Sequence, residues 1–394
     1  MSDRSFHEGR KDERRACQAL LVLAVIMVMS LAITMMTAAE PAQKADIKTE
    51  NGVRVVRNPK TPVARPGGTP AAVSLVEDLV IGNDTSREDH WFGFLNSLTV
   101  DETGRIYTLD PKDIRIRVFG PDGALVRAFG RKGQGPGEFS GPGGIIAAPD
   151  GTIAVSDVLN GRISYLTREG AHLKDTSFGT YRIAGLAIDG RSNLYAVHVN
   201  SPNGDKQIWE IIKFDPELKP LLKIHSISGP FKLRSMNLIS DRLFLALAGE
   251  GRLAWMASTE YAIQVVDASG KTVMKIIKDC DPQRITEKDR QRYIKSRFPG
   301  AVPPQFELVF PDFFPAASSF MTDDKGRIYV RTYESDGRGG VALDVFDPAG
   351  LYVARFFAPE DEDAVIVRND KLYSIVKNSE SGNPLVKRYA LKWK

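Results

Sequence analysis

Five histidines, two cysteines and one glycine-rich loop are the features of this 394-residue chain whose types could do chemistry. The histidines are His7, His90, His172, His198 and His225, and no H-E-x-x-H or other pair at i, i+4 occurs among them. No helix face therefore offers the paired imidazoles of a zinc hydrolase. Cys280 lies within Asp279-Cys280-Asp281, where two carboxylates raise the thiol pKa and disfavour a nucleophilic thiolate. No G-x-S-x-G elbow is present. The loop Gly130-Arg131-Lys132-Gly133-Gln134-Gly135-Pro136-Gly137 lacks the G-K-[ST] ending of a phosphate cradle and leads into a strand rather than a helix. It reads as a turn joining two β units. No set of residues calls for a catalytic centre, a metal or a cofactor.

The elements that would position any site repeat along the chain. Leu98–Tyr107, Ile145–Ala154 and Phe320–Tyr329 superimpose as a short apolar strand, a turn with acidic residues and a glycine, and a second apolar strand. Weaker copies run from Leu186 to Tyr195, Leu238 to Phe244 and Ile366 to Tyr373. Further hairpins follow, at Ile116–Leu125, Val265–Lys271 and Val345–Leu351, each turning through glycine, which tolerates the positive φ of tight hairpins. Four strands recurring roughly every 40–50 residues is the period of propeller blades. Six inner hairpins are present, and the last copy, ending at Leu385–Leu391, has only three strands. The strand Ser74–Ile81 can supply the fourth and remove the open edges of the sheet ring. The expected fold is all-β: a six-bladed β-propeller over 73–394, with four-stranded antiparallel blades and one mostly helical insertion at 278–312. A β-sandwich would not produce this regular repeat.

The first 39 residues differ in kind. Arg4, Arg10, Lys11, Arg14 and Arg15 precede an uncharged apolar run, Ala19–Met36, followed by Thr37-Ala38-Ala39. This describes an export signal cleaved after Ala39, or an anchor of 18 residues just long enough to span a bilayer. Either way the remainder is expected outside the cytoplasm, periplasmic or at the cell surface, and secreted or anchored. Residues 40–72, rich in Pro, Ala, Lys and Thr, read as a linker, within which Val53–Val56 could add a short strand. The balance of 53 basic and 49 acidic residues gives no case for nucleic acid.

At Arg131–Phe139 the G-x-G-P-G-E-F segment between two units resembles the linkers of NHL-repeat propellers. Phe313–Ser319, Asp344–Pro348 and Val53–Pro59 resemble a bacterial group of exported six-bladed β-propeller proteins. The resemblance covers about residues 53 to 394 and implies the fold. It leaves activity open, because propellers host many unrelated functions. Peptide-amidating lyases among the NHL-like propellers use several histidines around a central metal, whereas only His198 falls near the channel mouth here. Calcium lactonase propellers use a central ring of Asp, Asn and Glu. The strand ends expected to be equivalent here are Asp110, Asp157, His198 and Arg331, a mixed-charge set unsuited to calcium.

In a propeller the linkers between blades and the loops after second strands gather at one mouth. The alignment places Asp110, Asp157, Asn160, Arg182, His198, Arg234, Arg331 and Tyr333 there. Arginine and tyrosine suit the capture of carboxylates, peptides or sugars, and the same residues would also serve as solvated turns and inter-blade ion pairs. In the insertion, Thr286-Glu287-Lys288-Asp289 reads as a helix start, followed by Arg290, Arg292, Tyr293, Lys295 and Arg297. Phe306, Phe310, Phe313 and Phe314 are expected to hold the insertion to the ring. The expectation is a non-catalytic binding or scaffold propeller recognising a peptide, protein or glycan at the mouth. The alternative is a hydrolase or lyase, with or without a metal, acting in the channel.

Overall fold

A computed structural model describes residues 44–63, 71–82, 91–202, 204–249, 251–298, 300–359, 365–378 and 380–394. Residues 1–39, expected from the sequence to be a signal or anchor, with the apolar run 19–36, lie outside the described residues. Among those described, no helix is long and apolar enough to cross a membrane.

Six antiparallel blades form the protein, each with its first strand innermost. Blade I holds Ser97–Val100, Ile106–Asp110, Arg115–Phe119 and Leu125–Phe129. Blade II holds Pro142–Ala147, Ile153–Asp157, Arg162–Leu166 and His172–Ser177, and blade III holds Ile183–Ile188, Leu194–Asn200, Lys206–Phe214 and Pro220–Pro230. Blade IV contains Leu243–Leu247, Leu253–Ala257, Ala262–Val266 and Thr272–Lys278. Blade V contains Ser319–Thr322, Ile328–Ser335, Gly340–Phe346 and Tyr352–Pro359. Blade VI is Val365–Arg368, Lys371–Lys377 and Pro384–Trp393, completed by Val73–Ile81, which pairs antiparallel from Trp393↔Val73 to Val386↔Ile81. The N-terminal strand thus closes the ring as the repeat implied. No free edge remains between the first and last blades.

Burial follows from this stacking. Second strands such as Ile106–Asp110 and Leu253–Ala257 are buried at every position, because each of their faces meets a neighbouring blade. Outer strands such as Leu125–Phe129 are mostly exposed. The acidic turn of the repeat has a defined task. Asp101 accepts the Tyr107 hydroxyl at 3.0 Å, Asp189 that of Tyr195 at 3.4 Å and Asp323 that of Tyr329 at 3.0 Å. Each carboxylate also takes backbone N–H groups of its own turn, so one residue satisfies the turn and anchors the next strand.

Two expectations shift in register. Residues 40–72 are not a linker throughout: Asp46–Glu50 and Val53–Asn58 form a hairpin whose second strand pairs parallel with Thr272–Lys278, so blade IV has six strands. Val55 and Val56 are buried there, and the Asn58 side chain donates to Gly350 O at 2.9 Å and accepts Tyr352 N–H at 2.8 Å, tying blade IV to blade V. Gly350 has φ +87°, and a Cβ there would meet Ile276 at 3.0 Å, so this contact needs glycine. The inner hairpin of blade IV is Leu243–Ala257 rather than Leu238–Phe244. Ser235–Asn237, just ahead of it, instead pairs parallel with Glu307–Val309 of the insertion.

Blades IV and V share a buried ionic centre. The fully buried Asp344 accepts from the Tyr261 hydroxyl (2.6 Å), the Tyr352 hydroxyl (2.7 Å) and Arg355 Nε (2.6 Å), with Lys278 Nζ at 3.5 Å. Burial alone would raise the Asp344 carboxyl, but the Arg355 hydrogen bond and the Lys278 charge hold it below the usual carboxylate range.

Candidate functional site

The mouth is the face where the blade linkers and the loops after second strands emerge. Its geometry is set by one recurring clasp. The last residue of the second strand in blade I, Asp110, accepts the backbone N–H groups of Gly93 (2.8 Å) and Phe94 (3.3 Å) in the incoming linker, and those of Lys112 and Asp113 in its own loop. In blade II, Asp157 does the same for Ser140 and Gly141 and also accepts the Asn160 side-chain amide at 2.6 Å. In blade III, His198 Nδ1 accepts the N–H of Arg182 at 3.1 Å, with Tyr181 packed edge-on against its ring at 5.1 Å. In blade IV, Ser258 Oγ accepts the N–H of Arg242 at 2.8 Å. Asp110 and Asp157 are fully buried and His198 is nearly so. Their hydrogen bonds hold the ring's linkers against its second strands, because a buried backbone N–H needs an acceptor.

Arg331 does not belong to this series. In blades I, II, III and V the residue opening the inner turn donates its N–H four residues on, at Asp101, Ala148, Asp189 and Asp323. Counting nine residues from these positions reaches Asp110, Asp157, His198 and Thr332. Thr332 is the equivalent strand end, and strand alternation turns Arg331 to the opposite face of blade V. On that face Arg331 shares a cluster with Tyr333, and the insertion covers it.

The insertion leaves blade IV after Lys278 and re-enters the ring at Ser319. It contains one helix, Glu287–Arg297, with the capping box read in the sequence: Asp289 N–H donates to Thr286 Oγ1 and Thr286 N–H to Asp289 Oδ2. Phe314 fixes the insertion to the ring, stacking on Tyr333 at 4.5 Å and 22° and lying 6.2 Å from Tyr293 of the helix. Phe310 and Phe313 instead lie under Arg290 (5.8 Å) and Arg284 (5.1 Å). Burial pushes the Tyr293 and Tyr333 hydroxyls up, while the Arg331 and Arg242 charges pull the other way. Both phenols therefore stay neutral donors beside two guanidinium groups. Burial also raises the nearby Asp241 carboxyl.

Arg182, Arg234 and Arg242 are exposed on the mouth side of blades III and IV. Arg234 adopts φ +68° in the turn before blade IV and accepts Glu307 N–H through its carbonyl, which joins that turn to the insertion. None of the three guanidinium groups forms an ion pair with a described residue. Sequence reading missed Arg242, because the blade IV hairpin had been placed one strand early. The signal was the turn Ala248-Gly249-Glu250-Gly251-Arg252 between two apolar runs. A cleft of about 290 Å³ between blades IV and V opens on the opposite side, at the Asp- and Gly-bearing turns, and one of about 440 Å³ lies beside Cys280 and Glu260 at the root of the insertion. Among the described residues, no group of three or more His, Cys, Asp or Glu is placed to hold a metal ion.

Fold and site define a six-bladed β-propeller with a partly covered, arginine-bearing mouth. No protein-family profile matches the chain, and no curated protein is similar to it in sequence. Among solved structures it is similar to a protein described as exported from Bacteroides fragilis NCTC 9343, at 11% identity and TM-score 0.50 over 86% of this chain and 99% of that one. It is also similar to a member of the DUF4221 family from Bacteroides vulgatus ATCC 8482, at 12% identity and TM-score 0.50 over 82% and 98%. Virginiamycin B lyase from Staphylococcus aureus matches at 12% identity and TM-score 0.41 over 82% and 90%. At these identities the likeness is one of fold.

Proposed function

We propose that the protein is an extracytoplasmic, non-catalytic binding propeller that holds an acidic group of a peptide, protein or glycan on the rim of blades III to V. The observation that carries this reading is the set of exposed guanidinium groups of Arg182, Arg234 and Arg242, contributed by adjacent parts of the ring and without ion pairs among the described residues. An anionic ligand would relieve their mutual repulsion, and guanidinium groups bind carboxylates in a bidentate, directional way. Tyr293 and Tyr333, kept protonated by burial, add neutral donors beside Arg331. His198 and Ser258 would serve this rim indirectly, by holding the backbone of Arg182 and Arg242, whereas Asp110 and Asp157 fix the linkers into blades I and II. The basic N-terminal stretch and apolar run support the extracytoplasmic location, as does the fold shared with a protein described as exported.

The test is binding of the purified protein to arrays of acidic and neutral peptides and glycans. Acidic ligands should be retained, more weakly at high salt, and Arg182→Ala or Arg242→Ala should reduce retention severalfold. Retention that ignores both the charge of the ligand and the two arginines would overturn the reading.

A further inference from the structure

The exposed large apolar side chains divide the ring unequally. Thirteen occur among the described residues, and six of these lie one per blade on the outermost strands. Single apolar residues spread around a perimeter are ordinary. The other seven all lie on the mouth face. Trp91 and Phe94 (54% exposed) sit in the linker into blade I, Val158 and Leu159 (76%) in the loop after the second strand of blade II, and Leu233 (74%) ahead of blade IV. Val309 and Phe313 belong to the insertion. The opposite face, built from the Asp- and Gly-bearing turns of the repeat, has none among the described residues.

We infer that the mouth face is a docking surface that rests on a phospholipid bilayer. A protein partner draws its affinity from anchors clustered at the centre of a patch. These residues instead ring the mouth, at blades I and II, at the entry to blade IV and on the insertion, and such a ring of tips fits a flat partner. Tryptophan with interspersed arginine is the composition of a membrane–water interface. Arg182, Arg234 and Arg242 are exposed on the same face as the apolar tips and would meet lipid phosphates. Asp205, Asp241 and Glu260 share the face, so the tips supply the adhesion and anionic lipid strengthens it through the arginines.

The chain outside the described fold points the same way. It enters at Lys44 on the outer edge of blade IV, beside the root of the insertion, where Asp279 N–H donates to Asn58 O and Asp46 pairs with Arg57. Nine residues, 37–45, separate the apolar run from Asp46, a reach of about 30 Å at most. In a ring of six, blade IV stands opposite blade I. A tether at one side and Trp91 with Phe94 at the other would hold the mouth parallel to the membrane.

The test adds the purified full-length protein to vesicles of phosphatidylcholine, with or without phosphatidylglycerol, carrying brominated acyl chains that quench nearby tryptophan. Trp255 is buried, and Trp209 and Trp393 are half-buried, so Trp91 is the fluorophore placed to report contact. The expected result is quenching that falls at least twofold in Trp91→Phe, grows with phosphatidylglycerol, and drops in Leu159→Asp and Leu233→Asp variants of unchanged melting temperature. Quenching absent from the wild type, or equal in Trp91→Phe, would overturn the inference. So would tip variants that lose an array ligand while wild-type tryptophan stays unquenched, which would assign the tips to that ligand instead. Arginine variants that abolish array binding but leave quenching of Trp91 in phosphatidylcholine intact would separate this surface from the ligand rim.

Discussion

His198 Nδ1 accepts the backbone N–H of Arg182, sixteen residues upstream, at 3.1 Å, and Asp157 makes the corresponding bond to Gly141 at 2.8 Å. One clasp therefore serves blades with different residues, and its requirement is an acceptor at the end of the second strand. Asp157→Ala should cost about 1–3 kcal/mol, because the N–H groups of Ser140 and Gly141 lose their buried acceptor. Asp157→Asn, which keeps a carbonyl oxygen, should recover part of it. Urea denaturation of the three proteins checks this, and equal stability of wild type and Asp157→Ala would remove the clasp as a structural device.

The Asp344 centre predicts a pH dependence of definite sign. Its carboxyl is held below the ordinary value of about 3.9 in the fold. A group depressed on folding contributes its full stability above its unfolded pKa and loses it as pH falls through the lower, folded value. Wild type should therefore lose stability relative to Asp344→Asn as the pH falls below about 4. At neutral pH, Asp344→Ala should cost about 3–5 kcal/mol, since Lys278 would lose its buried counter-charge and Arg355 would keep only Glu334. Thermal melting from pH 7 to 3 measures both.

Truncation should separate the two N-terminal contributions. Removing 1–43 leaves every described strand in place, and melting should be unchanged. Removing 1–72 strips the hairpin and uncovers Met274 and Ile276 on blade IV, so melting should fall while the ring stays closed. Removing 1–82 takes away the outer strand of blade VI, and the exposed edge should cause aggregation. Light scattering and calorimetry distinguish the three. Identical behaviour of the last two would contradict closure by Val73–Ile81.

Arg182→Ala and Arg242→Ala should leave the free energy of unfolding, measured by urea denaturation, within about 0.5 kcal/mol of wild type, because neither guanidinium has a described ion-pair partner. Tyr333→Ala should instead destabilise the insertion, through loss of the Phe314 stack. Limited proteolysis of residues 279–318 would report it as earlier cleavage.

The sequence by itself determined the architecture. Strand–turn–strand units with Asp and Gly at fixed offsets specify blades locally, and a three-stranded last copy demands a strand from elsewhere, which Val73–Ile81 supplies. The helix cap at Thr286 was equally legible, since capping is decided within four residues. The tertiary structure decided what the polar strand ends do. Asp110, Asp157 and His198 were legible as positions at the mouth, but their backbone partners lie in linkers without a sequence pattern of their own. Arg331 and Thr332 differ by one residue, and in a strand that difference exchanges the two faces. The hairpin Asp46–Asn58 joins blade IV through a parallel pairing to Thr272–Lys278, more than 200 residues away in sequence, and no local signal encodes a contact of that range. The asymmetry of the two faces also emerges only when the linkers of six blades are brought to one side. Local chemistry fixes each turn, and ring closure fixes which turns and loops become neighbours.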